Sequence, residues 1–189
     1  MTTRLAKLAP GSLDPEQREV YDAIAGGRRA QGPQLFRLVD DAGSLEGPFN
    51  AFLLQPRLGL ALQALGSAVR YETALSDRAR ELAILVVSVH WDCAFEWYAH
   101  EALGRHVGLS EEELAAVRGR AYDALPAPDE RVIARTVDAL LTEADLDDVA
   151  YAEAVAVLGA AGLFEVLTLV GYYAALALQL RVFRVPAPS

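Results

Sequence analysis

The chain has 189 residues, 53% of them hydrophobic, a net charge of −9 and one cysteine. That length suits one domain with a sizeable core, and an acidic chain without a basic stripe excludes nucleic acid as a natural partner. A single cysteine excludes an intrachain disulfide and a cysteine-only zinc site within one chain.

The start, MTTRLAKLAPG, lacks the apolar run of a signal peptide, so a cytoplasmic location is expected. Residues 1–12 read as an arm. SLDPEQREVYDAI predicts a first helix, with Ser12 or Asp14 as its cap and Pro15 at the first helical position. Residues 26–34 (GGRRAQGPQ) predict a loop. The turn-rich stretch 40–50 leads into a short helix from about Pro48, and helical spacing resumes over 57–72 after Pro56.

Ser76 opens the next helix, with Asp77 in the first turn and an apolar face through Leu82, Leu85, Val86 and Val89. Asp92 is the expected cap of CAFEWYAHEALGRHV, which ends at Gly108. Ser110 and Glu113 have capping-box spacing ahead of a helix over SEEELAAVRGRAY. PAPDERVIARTVDALLTEA and DDVAYAEAVAVLGAAG predict two more helices. The most apolar one, 162–182, comes last. It is nearly long enough to span a bilayer, but Glu165, Arg181 and Arg184 favour a core or interface helix, so no membrane association is expected. Ala, Leu and Val dominate and strand-like alternation is lacking. The expected fold is all-α, a single-domain bundle of seven to nine helices.

The chemistry-bearing residues gather at 81–100. Glu96 and His100 are four apart and share a helix face, where a carboxylate can fix the imidazole tautomer and raise its pKa. Trp97 and Tyr98 flank them. The same spacing also describes an ordinary solvated pair of small energetic value. Glu81 can pair with Arg78 or Arg80. Glu165 interrupts an apolar helix and needs a partner, and Tyr172 lies on its face seven residues on. Cys93 falls in the first turn of its helix. There the dipole lowers a thiol pKa and Asp92 opposes the effect. No HExxH occurs, and His90 and His106 fall outside ligand spacing from His100, so no metal site is expected. GxGxxG, P-loop and GxSxG motifs are absent.

These residues resemble the carboxymuconolactone decarboxylase family, which includes the alkylhydroperoxidase D-like proteins. Glu81, Cys93, position 96 and His100 match the spacing Glu-x11-Cys-x2-Cys-x3-His of its thiol-active branch, but Glu96 stands where the peroxide-attacking cysteine would be. Glu96-Trp97-Tyr98-Ala99-His100 is similar to the Glu-Trp-x-x-His helix of the non-redox branch. So are RELAIL at 80–85, GLS at 108–110, GPFNAFL at 47–53 and VGYY at 170–173. The resemblance implies an alkylhydroperoxidase D-like helical domain over 47–184. An arm, first helix and loop over 1–46 precede it, and a tail over 185–189 follows.

It further implies a homotrimer or hexamer, a small-molecule substrate and no cofactor. The implied catalytic residues are His100 as proton donor, Glu96 as orienting group or base, and Cys93 and Glu81. Trp97, Tyr172, Arg70 and Arg80 are the implied substrate-binding residues, one of the arginines holding a carboxylate. The leading expectation is a cofactor-independent acid/base enzyme, acting on a small carboxylated or carbonyl-bearing molecule by decarboxylation, isomerisation or lactone chemistry. The alternatives are a thiol peroxidase using Cys93 with an external thiol, and a non-catalytic ligand-binding or structural oligomer.

Overall fold

Asp14 starts the first helix, α1 (Pro15–Ala25). Its side chain accepts the Gln17 amide while its own backbone N–H donates to the Gln17 side chain. Ser12, the other candidate cap, belongs to a preceding 3-10 turn. The computed structural model describes residues 2–31 and 34–188. Met1 of the expected arm, Gly32 and Pro33 of the 26–34 loop, and Ser189 of the tail lie outside the described residues.

Prolines open α2 (Pro48–Phe52) and α3 (Pro56–Tyr71), where the missing N–H costs nothing. Ser76 caps α4 (Asp77–His90) by accepting from Ala79. It is followed by α5 (Ala94–His106) and α6 (Glu111–Arg118), the latter with the expected Ser110–Glu113 capping box. α6 is shorter than its sequence suggests. Gly119 closes it, Arg120 turns left-handed at φ 54°, and a 3-10 turn at Tyr122–Ala124 follows. Next come α7 (Pro128–Thr142) and α8 (Asp148–Phe183). α8 merges the two expected last helices across a break at Gly159, whose φ of 68° only glycine adopts cheaply. Among the described residues the fold is all-α, with eight α-helices and no strand beyond an isolated Val39–Leu45 bridge.

α4 is the central helix. The sequence suggests one apolar face, but every residue from Ala79 to Ser88 is buried, because α5, α6, α7 and α8 all pack on it. Leu82, Ile84 and Leu85 are fully buried, each worth about 1.5–3 kcal/mol. The same position buries Arg80 and Glu81, so each needs a polar partner. α8 is long and apolar enough to cross a bilayer by length and composition. In this fold its Val166, Leu169, Tyr173 and Leu176 are core residues. Glu165 finds the partner it needs in backbone. Its carboxylate accepts from the Ala74 and Leu75 N–H groups at 2.9–3.0 Å and ties α8 to the turn before α4.

Candidate functional site

Three helices bring ionisable side chains to one point. Glu81 projects from α4, Glu96 and His100 from α5, and Arg70 from the last turn of α3. His100 Nδ1 lies 2.6 Å from Glu81 Oε2, and His100 Nε2 lies 3.3 Å from Glu96 Oε2. The imidazole is thus held between two carboxylates, one across the helix pair and one a turn earlier on its own helix. Arg70 Nη1 approaches the other Glu81 oxygen at 3.4 Å. Tyr173 from α8 packs edge-on to the His100 ring at 5.2 Å.

The electrostatics follow from this packing. Burial opposes a charged imidazole, but the Glu81 and Glu96 carboxylates outweigh it, and His100 is held above the usual histidine range. Burial likewise favours the neutral form of Glu81. Its contacts with His100 and Arg70 win, and its carboxyl is held below the usual range. With the imidazole charged, both ring nitrogens donate, Nδ1 to Glu81 and Nε2 to Glu96.

Glu96, His100 and Arg70 line a small cavity of about 30 Å³. Arg29, Phe49, Phe95, Tyr172 and Tyr173 complete most of its wall. Glu81 lies behind, 1% exposed. Glu81 is therefore placed to orient His100, while Glu96 and His100 Nε2 face the cavity. The Tyr172 hydroxyl is buried and has no hydrogen-bond partner among the described residues. Burial pushes its pKa up to about 12, so it stays a phenol and can donate.

Three expected site residues lie elsewhere. Cys93 and Trp97, four apart, share the adjacent face of α5 and line a separate groove with Tyr98, Glu101 and Arg118. Trp97 stacks under the Arg118 guanidinium at 4.1 Å rather than bracketing the Glu96–His100 pair. Cys93 is the N-cap rather than a first-turn residue, because Asp92, the expected cap, turns left-handed at φ 47°. Burial, with the Glu96 charge adding to it, pushes the Cys93 thiol up to about 12, away from a reactive thiolate. Arg80 precedes Glu81 by one position on α4 and so points elsewhere, pairing with Asp77.

Glu81, Glu96, His100, Arg70 and Tyr172 are brought together, five of the eight expected residues. Arg29, Phe49 and Phe95 were not foreseen. Arg29 sits in a 3-10 turn, Arg28–Ala30, within a stretch expected to be loop and without periodicity, and it is placed by Gln63 and Phe49 far along the chain. No local signal marks it. Tyr173 is a near miss, since it adjoins Tyr172 in the VGYY segment.

Comparison with known proteins adds the following. Residues 56–139 match the model of the carboxymuconolactone decarboxylase family. No curated protein matches the sequence at a significant level. A solved protein of unknown function from Agrobacterium tumefaciens, proposed to be the antioxidant defence protein AhpD, is 23% identical over 76% of this chain and 99% of its own, with a TM-score of 0.68. An uncharacterised peroxidase-related protein from Ralstonia eutropha, described as an alkylhydroperoxidase AhpD core, is 12% identical. It covers 99% of this chain and 93% of its own at a TM-score of 0.78. The debrominase Bmp8 is also 12% identical, over 100% of this chain and 94% of its own, at 0.76. At these identities the likeness shows a shared fold, of the alkylhydroperoxidase D-like kind.

Proposed function

We propose that this chain, whose residues 56–139 match the carboxymuconolactone decarboxylase family model, is a cofactor-independent acid/base enzyme of the non-redox branch. Its substrate is a small carboxylated or carbonyl-bearing molecule with an acidic carbon next to the carbonyl. The observation that carries this reading is His100 held between Glu81 and Glu96 at a cavity wall. A carboxylate and an imidazolium side by side offer a base and an acid within reach of one substrate atom. Glu81 fixes the imidazole and favours its charged form. Glu96 takes a proton from carbon as the bonding pair enters an enolate, and His100 Nε2–H stabilises the enolate oxygen or returns a proton. In a decarboxylation the pair of the breaking C–C bond enters the same enolate, and His100 protonates the carbon.

Arg29 and Phe36 come from the 26–36 segment and close the cavity wall. The thiol reading gains no support: Cys93 is buried, high in pKa and in a different groove.

The test is proton exchange. Wild-type protein and His100→Gln are incubated with a butyrolactone carboxylate in heavy water, and deuterium at the acidic carbon is followed by NMR. Exchange by the wild type, reduced by about 10²–10⁴ in the variant, supports the reading. Equal exchange by both, with folding intact, would sink it. Parallel assays for carbon dioxide release and peroxide consumption separate decarboxylation and thiol chemistry from simple proton transfer.

A further inference from the structure

The arginine nearest the pair is already engaged. Arg70 lies 3.4 Å from Glu81 Oε1. Arg80 is turned to Asp77. Arg29 is different. Its Nε donates to the neutral Gln63 side chain at 3.3 Å, and its guanidinium sits 5.3 Å from the Phe49 ring centre. No carboxylate of the described residues pairs with it, although it lines the cavity.

A second polar group converges on the same place. The Tyr172 hydroxyl is buried, lines the cavity and lacks a partner among the described residues. Both groups approach α3 at Gly66. A Cβ there would overlap the Tyr172 hydroxyl and stand 2.7 Å from Arg29 Nη2. Glycine is disfavoured inside a helix, and here its missing side chain leaves room for two donors to share one spot.

The geometry points to Arg29 and the Tyr172 hydroxyl as the seat of a substrate carboxylate, making the site selective for a small monocarboxylate. Planar guanidinium and phenol donors suit the two carboxylate oxygens. Charge agrees with this. Arg29, Arg70 and the charged His100 stand against Glu81 and Glu96, three cations against two anions, and a monoanion closes the balance. A carboxylate held by a guanidinium is stabilised as the anion and resists losing carbon dioxide. This inference rests on the acid/base reading above, and it narrows the chemistry at a monocarboxylate to proton transfer. The C–H bond breaks, the proton passes to Glu96, the electron pair enters the enolate, and a proton returns from His100 or Glu96. Carbon dioxide would leave only from a second, unheld carboxylate.

Calorimetric titration tests the seat without turnover. A butyrolactone carboxylate and its uncharged methyl ester are titrated into wild type, Arg29→Gln, Arg29→Lys and His100→Gln, each checked for folding by circular dichroism. The wild type is expected to prefer the acid over the ester by about 10-fold to 100-fold, the range for a charge-assisted pair. Arg29→Gln should abolish the preference, Arg29→Lys retain part of it, and His100→Gln, which removes one of the three cations, weaken it without abolishing it. A wild type that binds neither compound or shows no preference overturns the seat. So does a preference that survives in Arg29→Gln, or is fully kept in Arg29→Lys should the glutamine variant fail to fold. An Arg29-dependent preference without deuterium exchange in the wild type supports the seat and refutes the acid/base reading.

Discussion

His100 has its protonation set by its neighbours rather than by water. Burial alone would keep it neutral, and two carboxylates reverse that. Glu81→Ala leaves His100 and Arg70 without their buried counter-charge, and should cost about 3–5 kcal/mol in chemical denaturation. Glu81→Gln keeps an acceptor for Nδ1 and should cost less, while lowering the His100 pKa as read by NMR titration of the imidazole. The pH dependence has a fixed sign. The folded pKa of His100 is raised, so its contribution is fully present below the unfolded value of about 6.5 and is lost as pH rises through the folded value. Glu81 is lowered, so its contribution is present above about 4.3 and is lost as pH falls through its folded value. Urea midpoints of wild type and His100→Gln should therefore converge on the alkaline side. A gap that widens there would contradict the clamp.

At the scale of elements, the site depends on how helices are started and tied. α4 carries Glu81, and the turn before it is held by Glu165 of α8 through the Ala74 and Leu75 N–H groups. Glu165→Ala should lower stability by about 1.5–3 kcal/mol, the range for hydrogen bonds to a charged group, with Glu165→Gln in between, measured by thermal melting. α2 opens at Gly47, whose φ is 59° and whose Cβ would overlap the Phe95 ring. Pro48 and Phe95 both line the cavity. Gly47→Ala combines backbone strain with that clash and should cost at least about 1–3 kcal/mol. An unchanged melting temperature would show that the turn can relax. Sequence patterning located α4 well, because its Ser76 cap and apolar spacing are local, and it placed the span of α5. It erred at Asp92, whose left-handed turn depends on the packing of α4 against α5.

For the whole molecule, the telling feature is an apolar stripe left uncovered. Phe164, Leu167, Leu178 and Val182 of α8 are all 45% exposed or more, and their spacing places them along one side of the helix. Exposed apolar surface of that kind marks an association surface. The protein is expected to sediment as a species larger than its 20.4 kDa chain, with a trimer or hexamer the expected form. Phe164→Asp with Leu178→Asp should shift it toward the monomer. A monomeric wild type would refute this use of the stripe.

The helical class, the caps at Asp14, Ser76 and Ser110, and the pairing of Glu96 with His100 are all written in the sequence. Each depends on residues within one or two turns of each other, and helix physics is local at that range. The family pattern named Glu81 alongside His100, and the tertiary structure brought these residues, nineteen positions apart, into contact. Only the tertiary structure decided which side of α5 faces the cavity. It turned Cys93 and Trp97 away, took Arg80 out of the site and brought Arg29 and Phe49 in. A side chain's direction across a helix pair is set by the packing of whole elements, and an arginine in a short 3-10 turn is placed by partners distant in the chain. Neither leaves a trace in local spacing.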